Sequence, residues 1–77
     1  MIEWYKKRAK QIKKDMHTGN DALARSIGVR APFDATLMVV QHCLAKSAGF
    51  NSWHDLLHAS AEKQQEGIDR LHTLGVK

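Results

Sequence analysis

LMVVQHCLAKSAGFNSWHDLL, Leu37 to Leu57, is the stretch whose reading decides the fold. On a helix of about 3.6 residues per turn, Phe33, Leu37, Val40, Leu44 and Ala48 share one face. Met38, Val39, Cys43 and Ala45 widen the apolar arc until only Ala35, His42 and Lys46 face away. A helix apolar nearly all round is a central one, covered on several sides. Gln41 points into the arc, so its amide needs partners there. Gly49 stands where a helix takes a left-handed C′ residue, and Phe50 can fold back on the last turn. Ser52-Trp53-His54-Asp55 has the Ser-x-x-Asp spacing of a capping box. Trp53, Leu56 and Leu57 anchor the next helix, with Trp53 closing the core. The stretch predicts a helix-turn-helix hairpin.

Working outward, the segment 2–17 predicts a first helix whose apolar stripe is Ile2, Tyr5, Ala9, Ile12 and Met16. Residues 20–27 predict a short second helix, capped by Asn20 or Asp21, burying Leu23 and Ile27, and stopped by Gly28. A loop from Val29 to Phe33 holds the only proline, Pro32, and Asp34 or Thr36 starts the third helix, placed at 34–48. The last helix is expected over 53–72, either continuous or broken near 60 or 67. If continuous, Trp53, Leu57, Ala61, Ile68 and Leu71 share a face with Gln64. The tail from Leu74 is expected to fray. The fold class that follows is all-α: a small single-domain bundle of four helices, or five if the last is broken.

The pattern Leu37-x3-Gln41-x2-Leu44-Ala45-Lys46-x2-Gly49-Phe50-x-Ser52-Trp53-x2-Leu56 resembles the helical leader segment found ahead of ankyrin repeats in many bacterial proteins. It is also similar to a segment of bacterial glyoxalase-related proteins. Lys7-x-Ala9-Lys10-x-Ile12 and Gly19-Asn20-x-Ala22-x-Ala24-Arg25 extend the likeness, which covers roughly residues 2 to 58. The resemblance implies an all-helical bacterial module and supplies no catalytic or ligand residue. With no repeat array or enzyme domain before Lys77, the expectation is a freestanding protein.

A chain of 77 residues makes one domain with a thin core. Its 43% hydrophobic and 26% charged residues are ordinary for a globular protein and argue against disorder. One cysteine excludes an internal disulfide and fits a reducing compartment. No apolar run approaches the ~18 residues of a membrane span, and the N-terminus lacks a signal-peptide core. A cytoplasmic location and no membrane partner are expected.

The net charge of +4 is unevenly placed. Residues 1–17 carry six basic side chains against Glu3 and Asp15, while the rest of the chain carries six of each sign. All the excess lies on the first helix. Trp4 stands outside the apolar stripe, one turn before Arg8, where an aromatic–guanidinium contact is available. The candidate partner-binding residues are therefore Trp4, Lys6, Lys7, Arg8, Lys10, Lys13 and Lys14. The plain alternatives are a solvated lysine face and a Trp4 that packs under the C-terminal helix. An acidic protein surface is the leading partner and nucleic-acid phosphate the alternative. Lysine outnumbers arginine here, which favours diffuse attraction over bidentate recognition.

Other chemistry has less behind it. His54 and His58 have helical metal-ligand spacing, but Asp55 stands where His-Glu-x-x-His has glutamate, and no third ligand is evident. Cys43 reads as a small apolar filler. Adjacent helical residues diverge by about 100°, so His42 cannot orient on it. Ala24–Gly28 and Ala45–Gly49 match the spacing of DNA-reading helix-turn-helix motifs. In the second, however, the following helix lacks arginine and lysine up to His58. The expectation is a non-enzymatic binding module with no cofactor and no metal; the oligomeric state is not legible.

Overall fold

The computed structural model describes residues 1–30 and 35–77. Among them lie five α-helices and no strand: α1 (Ile2–His17), α2 (Ala22–Ser26), α3 (Leu37–Ser47), α4 (Trp53–Leu57) and α5 (Ala61–Thr73). The fold is all-α, as the sequence predicts, and α3 packs against α1, α4 and α5. Pro32, Phe33 and Asp34, to which the sequence assigned a loop, a core position and a cap, fall outside the described residues.

Of the expected α1 stripe, Tyr5, Ala9, Ile12 and Met16 are buried, while Ile2, in the first turn, is only half-buried. In α2 the buried residue is Ala24, with Ile27 at the C-cap; Leu23 is only half-buried, a correction to the expected pair. Ser47 Oγ donates to the Ile27 carbonyl at 3.1 Å, which ties the end of α2 to α3. Thr36 caps α3 by accepting from Val39 N–H.

The surroundings of α3 differ from expectation on one side. Val40, Leu44 and Ala45 are buried, but Met38 is 78% and Val39 44% exposed. Ala35, expected to face away, is buried. Three partner helices do not suffice to surround a fourth in a chain this short, so part of the apolar arc stays in solvent.

The hairpin turn forms as its residues dictate. Gly49 has φ +98°, a conformation that costs glycine little, and lets Phe50 N–H reach the Ala45 carbonyl at 3.0 Å. Ser52 Oγ accepts from Asp55 N–H at 3.1 Å and starts α4. Leu56, fully buried, is the anchor of α4. Trp53 is half-buried at the rim and does not close the core. Trp53 is the first residue of the helix and packs against the core from its rim, while Leu56, one turn on, is the residue that α4 buries.

The last helix is broken, and the break lies at His58–Ser60: Ser60 Oγ accepts from Lys63 N–H and starts α5 afresh. Ala61 consequently leaves the shared face and is exposed. Gly67 is no break. It is buried within α5, where an added Cβ would collide with the Tyr5 hydroxyl and stand 3.0 Å from Ala48 Cβ. The tail does not fray. With Gly75 at φ +93°, Val76 N–H reaches the Leu71 carbonyl at 3.0 Å, and the Val76 side chain is fully buried. A chain end with an apolar residue just past a helix stop docks for the sake of that burial.

Three substitutions separate these positions. Leu56→Ala should cost about 2–5 kcal/mol, because a core side chain leaves a cavity, and more than Trp53→Ala at the rim. Gly67→Ala should destabilise by about 1–3 kcal/mol, although alanine is the better helix former, because the site is overpacked. Denaturant melts of the three variants check both orders.

Candidate functional site

The outer face of α1 begins with the helix itself, whose buried stripe turns the lysines outward. Lys6, Lys7, Lys10 and Lys14 are exposed, and Lys13, nearest the stripe, is half-buried. Lys6 Nζ lies 3.9 Å from Glu3, an exposed pair of little energetic weight. No other ion pair within 4.0 Å forms on this helix among the described residues.

Trp4 and Arg8 flank the lysines. The Arg8 guanidinium sits over the Trp4 ring at 5.2 Å, the contact their spacing predicts. Arg8 Nε is buried with no hydrogen-bond partner among the described residues. Trp4 also packs edge-on against Tyr5 at 5.2 Å and against His72 of α5 at 5.9 Å. The tryptophan is therefore half-buried and wedged against the last helix, close to the plainer of its two sequence readings. Its position still leaves the cation over its ring beside the lysine arc.

The residues behind this face are held by α5. Tyr5, fully buried, donates its hydroxyl to the Gln64 carbonyl at 2.6 Å. Burial, with the Asp69 carboxylate adding to it, pushes the Tyr5 hydroxyl up to about 12. Gln64 Nε2 donates to the Leu56 carbonyl at 3.0 Å, so one residue joins α1, α4 and α5. Sequence reading placed Gln64 on an apolar face without finding these partners. Its offset of 59 residues from Tyr5 carries no local signal.

The remaining candidates are not drawn together. The His54 and His58 rings lie 4.3 Å apart, as their spacing requires, but no third His, Cys, Asp or Glu completes a metal-holding group among the described residues. Cys43 is half-buried, and burial raises its thiol above the ordinary value, which keeps it protonated at neutral pH. No helix among the described residues is long and apolar enough to cross a membrane.

Sequence reading also missed a polar cleft on the other side of the hairpin. It lies between the Gly49–Phe50 turn, α4 and α5, and it exists because the last helix breaks at Ser60. Ser60, with a glutamate two residues on, was the available signal for that break.

Comparison with protein-family models, curated proteins and solved structures returns no match to this chain.

The metal-binding alternative has a direct check. Purified protein should carry no stoichiometric zinc by elemental analysis, and a chelator should leave its melting temperature unchanged. About one zinc per chain, lost on His54→Ala, would reverse that reading.

Proposed function

We propose that the chain is a non-enzymatic module that docks on an acidic protein surface through the outer face of α1. The observation that carries this reading is the Arg8 guanidinium lying over the Trp4 ring beside four exposed lysines. Charge alone steers a partner and confers little affinity, whereas a partly desolvated Trp–Arg pair is the kind of group that anchors an interface. Trp4 is braced by Tyr5 and His72, so the anchor loses little side-chain freedom on binding. The resemblance to bacterial leader segments is in keeping with a module of this kind and adds no partner to it.

A second reading rests on the charge itself. Six of the twelve basic residues lie within α1, opposed by two acids, and such a stripe attracts phosphate backbones without reading bases. The two readings differ in their response to salt.

Replacing Lys6, Lys10, Lys13 and Lys14 with glutamine leaves the buried stripe intact and hardly changes helix propensity, so the fold should persist. At physiological salt the parent should bind a labelled generic duplex only weakly. A glutamate-rich peptide, standing in for an acidic surface, should bind the parent more tightly than it binds the quadruple variant or Arg8→Gln. Micromolar duplex binding that survives physiological salt and disappears in the quadruple variant would instead establish the phosphate reading. Equal binding by parent and variants would reduce the lysine face to solvated surface.

A further inference from the structure

A cleft of about 560 Å³ opens between the Gly49–Phe50 turn, the end of α4 and one side of α5. Its volume falls in the range of small-ligand sites. Lys63, Glu66 and Arg70 line it from α5, repeating at three and four residues along one helix face. Asp55 of α4 and His58 just past its end also line it, and Phe50 gives it an apolar side.

These charges are brought together without being paired. The ion pairs within 4.0 Å among the described residues are Glu3–Lys6 and Asp21–Arg25, and neither belongs to the cleft. Glu66 and Arg70 have the four-residue spacing that favours a bridge on a helix, yet they do not form one. Arg70 instead lies across Gly49, its Cζ 3.1 Å from where a Cβ would stand. Only a glycine leaves room for the guanidinium there. The end of α3 offers the cation a favourable dipole, which accounts for where it sits. Its planar set of donors remains without a carboxylate.

The charge balance narrows the ligand. Asp55 and Glu66 offset Lys63 and Arg70, so the cleft has no net field with which to gather a polyanion. A single carboxylate has a different prospect, because the guanidinium fork matches its two oxygens and the apolar side accepts what is attached to it. We propose that this cleft binds a peptide segment through one carboxylate seated on Arg70, with the neighbouring peptide laid against Phe50. The site is separate from the α1 face and does not depend on how that face is used.

The test uses the whole chain, labelled with nitrogen-15, and three probes. One is an alanine peptide blocked at both ends with a single central glutamate. The second is an alanine peptide blocked only at its N-terminus, with a free terminal carboxylate. The third is the same peptide blocked at both ends. Saturable shifts at the Gly49 and Phe50 amides and the Arg70 Nε–H, with a millimolar or tighter dissociation constant, are expected from the first, the second, or both. Which of the first two binds more tightly identifies the source of the carboxylate. The doubly blocked peptide should leave these signals in place. Affinity should fall at least about tenfold in Arg70→Gln, and about fivefold or more in Arg70→Lys, which keeps the charge beside α3 and loses the fork. The proposal fails if neither carboxylate peptide gives a saturable shift up to about 10 mM, if the blocked peptide binds as well, or if Arg70→Lys binds like the parent.

Discussion

The hydrogen bond from the Tyr5 hydroxyl to the Gln64 carbonyl is the constraint on which the rest of this small bundle depends. It joins the first helix to the last across 59 residues, and both partners are buried. A hydroxyl placed there without an acceptor would cost about 1–3 kcal/mol, a large share of the stability open to a domain of this length. The bond needs α5 to approach closely, and Gly67, one turn beyond Gln64, permits it. The Gln64 side chain then carries the connection on to the Leu56 carbonyl and so to α4. Trp4 rests on Tyr5, with Arg8 over its ring, so the proposed docking face inherits its rigidity from the same contact.

This arrangement also explains why the break at Ser60 matters. A continuous helix over 53–72 would carry Gln64 away from the Leu56 carbonyl in a straight line and leave no cleft beside Phe50. By ending α4 at Leu57 and restarting at Ala61, the chain turns α5 back toward both the hairpin and α1. The two candidate binding surfaces therefore have different origins. The lysine face is a property of one helix, written in its periodicity, whereas the cleft is a product of how three elements meet.

What was legible in the sequence follows the same division. The α1 stripe, the Gly49 turn, the Ser52 cap and the Trp4–Arg8 contact depend on residues within a few positions of one another, and the structure has each of them. Val76 was misjudged because chain ends usually fray, while the apolar residue after Gly75 has a specific place to go. Trp53 was misjudged because size was read as depth; Leu56, one helical turn nearer the centre, has that role. The exposure of Met38 and Val39 depends on how many neighbours a short chain can supply, which periodicity does not report. Gln64 and Arg70 act through partners far along the chain or through a glycine that makes room, and no window of sequence contains either relation.

Tyr5 is the only tyrosine in the chain, so its phenolate absorbance reads the central contact alone. The unfolded chain releases this proton near pH 10, while the native state holds it up to about 12. The stability tied to that difference is complete below pH 10 and is lost as pH rises through 12, by about 3 kcal/mol in total. In an absorbance titration followed together with circular dichroism, phenolate should appear at a midpoint well above 10. The Tyr5→Phe variant should lack this component of the alkaline destabilisation. A tyrosine that ionises near pH 10 while the helical signal stays whole would contradict the account, because the hydroxyl would then be neither buried nor bound to Gln64.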